Sequence, residues 1–240
     1  MGFDSSAANY LNSSDHRTGS DLEYLAEKLA GVKFGRMLDV ACAAGHFANF
    51  LSADIRIVTD LSFNMLKKAN EAFGLSLGAV SAAEFLPFQN ESFDLVGCRI
   101  AMHHFRNPCM FMGEAFRVLK QGGTFILIDS VVNEGDEHLN RIELLRDETH
   151  KKSHPAENIT AMAECEGFRT KETVILHKRH DFAEWANRLH PSDELFGKIE
   201  KAFLELPDEY RLRYHVETEN GRIKAYTDKK GLFIFQKPSI

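Results

Sequence analysis

The sequence predicts an α/β fold built on a doubly wound, largely parallel sheet. Short apolar runs alternate with amphipathic stretches of about 10 to 15 residues, the pattern of repeated strand–helix units. Acidic residues stand at or near the ends of three of these runs, at Asp39, Asp60 and Asp129. The chain has 240 residues, 44% of them hydrophobic and 27% charged, which is typical of one large globular domain.

The first half of the chain carries the alternating elements. After a polar segment over residues 1–19, which we expect to be mobile, a helix begins near Ser20. We expect Gly122 and Gly123 to end the last helix of this half. The apolar runs predict strands near residues 36–42, 55–60, 77–80, 93–98 and 124–129, with helices near 45–52, 62–73 and 107–119 between them.

The second half departs from this rhythm. Residues 133–166 and 181–213 are charged and helical, and we interpret them as cap insertions that fold over the carboxyl edge of the sheet. The apolar stretches 172–176 and 231–235 predict a terminal pair of strands. Residues 20–240 are therefore interpreted as a single domain with a helical cap.

Composition and charge exclude several classes of protein. The formal net charge is -6 and the signs are mixed along the chain, so no basic stripe for nucleic acid is visible. The four cysteines form no C-x-x-C pair, which favours a reducing, cytoplasmic location. We find neither a signal peptide nor a membrane span. His150 and His154 lack an acidic partner at metal-site spacing, so we expect no metal, and the oligomeric state stays open.

The loop after the first strand is the main landmark. A dinucleotide fingerprint would need glycine where the chain has Ala41, Ala43 and His46, so a pyrophosphate cradle is not expected. The spacing acid-x-G-x-G-x-G is met in part, by Asp39 and Gly45. This turn suits a ligand with ribose and adenine but no phosphates, and an acid at the end of the second strand suits the ribose hydroxyls.

Six motifs, in this order and spacing, resemble those of class I S-adenosylmethionine (SAM)-dependent methyltransferases of the type 11 group. They also resemble the ubiquinone/menaquinone C-methyltransferases and uncharacterised bacterial methyltransferases. The resemblance implies a Rossmann-like seven-strand sheet with its last strand antiparallel, SAM as methyl donor, and S-adenosylhomocysteine (SAH) as product. The motifs are residues 38–49, Asp60, 83–88, 92–96, 98–105 and 114–123.

The resemblance also implies a set of cofactor-binding residues. Two departures from the family pattern are the alanines of the first loop and Ala82, where the family usually has an aspartate at the adenine. The implied contacts are Asp39, Ala41, Ala43 and Gly45 at the methionine end, Asp60 and Leu61 at the ribose, and Ala83 and Glu84 at the adenine. Arg99 and Ala101 are implied to close the site, and Gly19 and Ser20 to fold over it.

Candidate catalytic residues follow the fourth and fifth strands. His103 or His104 is a candidate base or orienting acceptor, although one of them can simply pack beneath the next helix. Asp129 either assists a proton transfer or caps the segment after the fifth strand.

Candidate substrate-binding residues lie in the first cap insertion. Arg146 and His150 have the spacing of one helix face, with Asp147 adjacent, and the three form a candidate substrate-binding group. The alternative is an exposed ion-pair cluster without a role in binding.

The predicted function is methyl transfer from SAM to a small-molecule acceptor by in-line displacement. Three alternatives stay open: a nucleic-acid or protein methyltransferase, a SAM-binding protein without catalysis, and a nicotinamide oxidoreductase. The net charge opposes the first of these, and the missing glycines oppose the last.

Overall fold

A computed structural model describes residues 18–239, so most of the predicted mobile segment, residues 1–17, lies outside the described residues. The strands are β1 Phe34–Val40, β2 Ala53–Asp60, β3 Gly78–Val80, β4 Phe93–Arg99, β5 Leu119–Val131, β6 Arg169–Asp181, β7 Glu217–Glu219 and β8 Arg222–Gln236. The α-helices are α1 Ser20–Lys28, α2 His46–Phe50, α3 Phe63–Phe73, α4 Pro108–Val118, α5 His138–Arg146, α6 Ala156–Cys165, α7 Phe182–Asn187, α8 Asp193–Leu204 and α9 Asp208–Arg213. A short 3-10 turn spans Met102–His104.

The strands form one sheet in the order β3-β2-β1-β4-β5-β8-β6, with the short β7 added on β8. β1 to β5 pair in parallel, and β8 runs antiparallel to both β5 and β6. The predicted α/β fold with an antiparallel last strand is confirmed. The strand order reverses between β1 and β4, and ligands of such sheets bind outside the carboxyl ends of the strands at this switch point.

The central strands are nearly continuous apolar runs because both faces of the sheet are covered. Alternate side chains enter opposite cores: Leu38 and Val96 pack with α4 and α6, whereas Met37 and Leu95 pack with α1, α2 and α3. This packing holds the strand ends in fixed positions, and the loops that follow them form the site.

The glycine pair after α4 has a different role from the one predicted. The helix ends at Val118, and Gly122 and Gly123 lie inside β5, where its register with β4 shifts. Gly122 has a φ of 73°, and a Cβ on Gly123 would lie 2.8 Å from the carbonyl oxygen of Lys120. The glycines therefore form a bulge in the strand, because only glycine fits this close approach.

The cap is carried by the ends of the two longest strands. β8 pairs with β5 as far as Lys229 opposite Val131, and then continues along β6 to Ala225 opposite Asp181. This ribbon extends past the carboxyl end of β5. It packs against α5, α7 and α8 around a separate apolar core in which Trp185, Phe203 and Tyr226 are buried.

The two predicted insertions contribute unequally to this cap. The second, residues 181–213, supplies α7, α8 and α9. The first supplies only α5, because α6 buries Ile159 and Ala163 in the main core beside α4. α6 thus belongs to the layer that covers the sheet.

Candidate active site

A large cavity among the described residues, which we name the sheet-edge cavity, lies at the carboxyl ends of β1, β2 and β4. Its volume is 780 Å³, within the range of small-molecule and cofactor sites. It is lined by Ala41, Ala43, Asp60, Leu61, Ala83, Glu84, Arg99 and Ala101 among others, which are eight of the twelve predicted cofactor-binding residues.

The β1–α2 loop keeps a glycine-like backbone although it carries alanines. Ala41 and Ala43 have φ values of 55° and 47°, in the left-handed region where an L side chain is strained. The backbone N–H of Ala43 donates to Asp60 Oδ2 at 2.9 Å, which holds the loop against the end of β2. The loop thus adopts the turn that glycine would favour, at the expense of local strain.

Ala43→Gly is therefore expected to raise the free energy of unfolding by about 0.5–1 kcal/mol, because glycine removes the left-handed strain at a smaller entropic cost. Urea denaturation measures this change. Ala202→Gly, the same replacement within α8, is the matched control and is expected to lower stability by about 1 kcal/mol. A loss of stability in Ala43→Gly would contradict the assignment of strain.

Asp60, Asp39 and Gly45, which surround this loop, have different roles. Asp60 accepts from the N–H groups of Ala43 and Ser62 and also lines the sheet-edge cavity. Asp39 is 1% exposed and accepts a hydrogen bond from the Ala48 N–H. It is not among the described residues that line the sheet-edge cavity. Burial, together with the Asp60 charge, raises the pKa of Asp39 to about 8.

Gly45 is also set back from the cavity. Its φ is 86°, and a Cβ at this position would lie 2.7 Å from Leu75 Cδ1 and 2.9 Å from Ala69 Cβ. Gly45 is therefore needed for the close packing of the loop against α3. Asp39 and Gly45 thus support the loop from beneath, and their contacts with the methionine end stay a prediction.

The loop after β3 forms another wall of the cavity. Ser81 contributes a buried hydroxyl that has no hydrogen-bond partner among residues 18–239, and Ala82 and Ala83 follow it along the wall. Glu84 lines the cavity as predicted, and its Oε1 accepts from the N–H groups of Arg106 and Asn107. The unpaired Ser81 hydroxyl is a polar group that a ligand can satisfy.

Arg99 forms a buried ion pair at the end of β4. Its Nε donates to Asp21 Oδ2 at 2.6 Å, and the two side chains are 3% and 9% exposed. This pair fixes the start of α1, so that Gly19 and Ser20 line a different cavity beneath the cap. Gly19 and Ser20 are not among the residues that line the sheet-edge cavity, and their contact with the cofactor stays a prediction.

The second cavity lies between the cap and the sheet, and we name it the cap cavity. It has an outer lobe of 270 Å³ and an inner lobe of 40 Å³, which share five lining residues. Within the described chain, Ile100 is the one residue that lines both the inner lobe and the sheet-edge cavity. Its φ is 54°, a rare value for a β-branched residue and of the kind found at functional sites.

His103 forms a hydrogen-bonded pair with Asp129 at the inner lobe. His103 Nδ1 lies 2.5 Å from Asp129 Oδ1, and the backbone N–H of His103 donates to Asp129 Oδ2 at 2.9 Å. Burial opposes ionisation of Asp129, but the charge and hydrogen bonds of His103 and the Ser130 N–H lower its pKa. A carboxylate only accepts, so Nδ1 carries a proton, and Nε2 of neutral His103 is an acceptor.

His104 and His150 complete a group of three imidazoles. The ring centroid of His103 lies 4.1 Å from that of His104 and 5.5 Å from that of His150. His104 lines the sheet-edge cavity, whereas His103 and His150 line the inner lobe. Burial, and then the charge of His103, lowers the pKa of His104 to about 3 and that of His150 to about 4. Both rings are therefore neutral at physiological pH.

These two lowered pKa values predict loss of stability in mild acid. The unfolded chain binds protons on both histidines below about pH 6.5, while the folded chain does not. Asp39 is protonated in the folded chain below about pH 8 and offsets one of these two protons, so the unfolded chain still binds about one proton more and stability falls as the pH decreases toward 4. We expect a slope of at least about 1 kcal/mol per pH unit in urea denaturation over this window. His150→Gln is expected to reduce this slope. An unchanged slope would contradict the lowered pKa of His150.

The predicted substrate residues of the first insertion occupy three different environments. α5 ends at Arg146, because Asp147 leaves the helical backbone with φ -135° and ψ 104°, so the predicted common helix face is wrong. Arg146 pairs with Glu143 at 2.9 Å and stacks 4.4 Å from the Trp185 ring centre. Arg146 and His150 line the inner lobe. Asp147 Oδ1 instead accepts hydrogen bonds from the backbone N–H and the hydroxyl of Thr149.

Several residues of the two cavities were not predicted from the sequence. Ser81 and Ile100 stand out only through an unpaired hydroxyl and a backbone angle, which sequence patterns do not show. Lys178, Arg188 and Lys230 line both lobes of the cap cavity. Lys178 and Lys230 lie just outside the strands predicted at 172–176 and 231–235, because β6 and β8 extend past these apolar stretches into charged sequence.

Comparison with known proteins identifies the class. The family described as "Methyltransferase domain" matches residues 38–127. YcgJ of Bacillus subtilis, an uncharacterized methyltransferase, is 32% identical over 67% of this chain and 67% of its own length. The crystal structure of YcgJ has a TM-score of 0.79 at 25% identity, over 92% of this chain and 99% of that one. A crystal structure from Bacillus halodurans C-125, described as a candidate methyltransferase, has a TM-score of 0.86 at 31% identity, over 92% of this chain and 100% of that one.

The chain therefore belongs to the class I SAM-dependent methyltransferases, as its motifs predicted, and SAM is its cofactor. A nicotinamide oxidoreductase is excluded by the same findings. No group of three or more metal-binding side chains that could hold an ion exists among residues 18–239. In that range, no helix is long and apolar enough to cross a membrane.

Proposed function

We propose that this protein transfers the methyl group of SAM to a small-molecule acceptor that binds in the cap cavity. The observation that carries the proposal is that Ile100 lines both the sheet-edge cavity and the inner lobe, and that His103, paired with Asp129, lines the inner lobe beside it. A methyl group presented from the sheet-edge cavity would face an acceptor atom at the inner lobe. In-line displacement requires this opposed arrangement of donor and acceptor.

The sheet-edge cavity fits SAM in the chemistry of its walls. The carboxylate of Asp60, at the end of β2, suits the two ribose hydroxyls. The unpaired Ser81 hydroxyl and the apolar Ala83 suit a flat, polar-edged adenine ring. The strained turn at Ala41 and Ala43 brings backbone close to the methionine end, and no phosphate cradle is present, which matches a cofactor without phosphates.

The protein's own contribution is alignment and proton removal. When bound, SAM supplies an activated methyl group on a positively charged sulfur. Neutral His103 can accept the acceptor's proton at Nε2, and Asp129 then stabilises the imidazolium that forms. Asp129 is 0% exposed and acts through His103, so it is a positioning residue. His104 faces the other cavity and is assigned no proton transfer.

The size of the cap cavity supports a small acceptor over a macromolecule. The outer lobe holds 270 Å³ and lies between β6, α7 and the start of α1, which suits a small molecule better than a protein or nucleic acid segment. The net charge of -6 agrees with an acceptor other than nucleic acid. The four thiols, which form no disulfide, agree with a cytoplasmic location.

The test is transfer of labelled methyl from SAM into an extract of the source organism. We expect label in the dialysable fraction, and none in protein or nucleic acid. Label in a macromolecule would replace the small-molecule acceptor with a different class. SAM binding without any transfer would favour a SAM-binding protein that lacks catalysis.

A further inference from the structure

The buried ion pair between Asp21 and Arg99 lies between the two cavities of the site. Arg99 lines the sheet-edge cavity, whereas Asp21, its partner at 2.6 Å, lines the outer lobe of the cap cavity. The Arg99 side chain is 3% exposed and the Asp21 side chain 9% exposed. Water and salt screen buried charges only weakly. The charge of Asp21 therefore acts on the sheet-edge cavity although its carboxylate does not line that cavity.

Arg99 differs from the other cations of the sheet-edge cavity. Among the described residues that line it, Arg99 is the one buried arginine or lysine. Arg106, Glu148 and Lys151 also line the cavity, but they are exposed, and solvent screens their charges. Arg99 directly precedes Ile100, where the proposed function places the methyl group and the positively charged sulfur of SAM. A buried guanidinium without a compensating acid would repel this sulfur.

The other acids near the sheet-edge cavity have different partners or little charge. Asp60 and Glu84 each accept hydrogen bonds from two backbone N–H groups, at the end of β2 and after β3. Asp39 lies beneath the first loop, and burial raises its pKa to about 8 against the opposing charge of Arg99. Asp39 is therefore mostly neutral at physiological pH, and the acid that compensates Arg99 at contact distance is Asp21.

The start of α1 holds Asp21 against Arg99. The N–H groups of Leu22 and Glu23 donate to the carbonyl of Gly19, which closes the first turn of the helix. A Cβ on Gly19 would collide with Asp21 Oδ1, so glycine leaves the space that this carboxylate occupies. Leu22 is buried in the core beneath the helix. The position of the Asp21 carboxylate is thus set by the packing of α1.

We propose that Asp21 is a specificity-determining residue for the cofactor, because it neutralises Arg99 and thereby raises the affinity for SAM relative to that for SAH. This rests on the proposed function, which places the methyl group at Ile100. SAM and SAH differ by that methyl group and by the positive charge on the sulfur. The ratio of their affinities therefore measures the electrostatic effect of the buried pair. A ratio that favours SAM also reduces inhibition by the product.

The test is calorimetry of SAM and SAH on wild type and Asp21→Asn, which removes the charge and keeps the size of the side chain. We expect Asp21→Asn to weaken SAM about tenfold more than SAH, since two unit charges about 10 Å apart at an effective dielectric constant of about 20 change a binding constant by roughly tenfold or more. Glu23→Gln is the matched control, because Glu23 is exposed in the same turn of α1 and loses the same charge. It is expected to keep the wild-type ratio.

Two further variants separate the charge of Asp21 from its place in the fold. Asp21→Glu keeps the charge, so it is expected to retain the wild-type ratio even where the longer side chain weakens both ligands. Asp21→Asn combined with Arg99→Gln removes both charges of the pair. This double variant is expected to return the ratio close to that of the wild type, because no buried guanidinium is left to repel the sulfur.

Equal weakening of SAM and SAH in Asp21→Asn would mean that Asp21 only supports the start of α1, and it would overturn the proposal. A double variant with the same ratio as Asp21→Asn would also overturn it, because Asp21 would then not act through Arg99. Either result is distinguishable from failure of the proposed function, since methyl transfer by the wild type is measured separately. A protein that transfers methyl groups but loses SAM and SAH equally in Asp21→Asn would keep the function and lose this inference.

Discussion

His103→Gln is expected to slow methyl transfer by about 10²- to 10⁴-fold while leaving the affinity for SAH unchanged. The backbone N–H groups of residue 103 and Ser130 still donate to Asp129, so the buried carboxylate keeps partners, but glutamine has no basic nitrogen to accept a proton. Transfer is followed as SAH released with the acceptor-containing extract, and SAH affinity is followed by calorimetry. The variant thus separates chemistry from cofactor binding.

The control for this variant is His215→Gln, an exposed histidine in the turn after α9. Asp129→Asn is expected to lower the rate as well, because an amide no longer stabilises the imidazolium. An unchanged rate in His103→Gln would mean that alignment of donor and acceptor alone is enough for methyl transfer and that His103 is not the base.

Asp60→Ala is expected to weaken SAM and SAH by at least about 100-fold. The carboxylate would bind the ribose hydroxyls, and it also accepts from Ala43 and Ser62, so its removal costs both ligand contacts and loop order. Calorimetry measures the affinity, and thermal unfolding shows whether the fold survives. Asp60→Asn keeps one acceptor oxygen, so its affinity for SAH is expected to lie between those of the wild type and Asp60→Ala.

Asp54→Ala provides the matched control, since Asp54 lies on the same strand and its side chain is 61% exposed. It should bind SAH like the wild type. If Asp60→Ala folded normally and bound SAH with wild-type affinity, the ribose contact would be wrong, and the loop alanines would need a different explanation.

The succession of strands along the chain and the position of Asp60 at a strand end were accessible from sequence, because buried parallel strands are apolar runs and ligands bind at their carboxyl ends. The left-handed backbone at Ala41 and Ala43 was not, since alanine rarely adopts it and only the surrounding contacts enforce it. In the sequence, alanines stand where this loop usually has glycines. In the structure, the loop still adopts the left-handed turn that glycine favours, with backbone strain at Ala41 and Ala43.

The cap residues illustrate a second limit. Periodicity predicted helices in the region of α5 and α6 but not that α6 would cover the sheet while α5 joins the cap. The partners of a helix depend on which apolar surface is left uncovered, which is a tertiary property. Likewise, Gly19 and Ser20 were placed at the cofactor by resemblance, but the ion pair between Asp21 and Arg99 turns the start of α1 toward the cap cavity.

A crystal structure of the protein with SAH tests the central claim most directly. The account predicts SAH in the sheet-edge cavity, with its ribose oxygens bonded to Asp60, its adenine beside Ser81 and Ala83, and its sulfur next to Ile100 on the side that faces His103. A sulfur directed away from Ile100, or SAH bound in the cap cavity, would leave no route for the methyl group to an acceptor beneath the cap and would contradict the account.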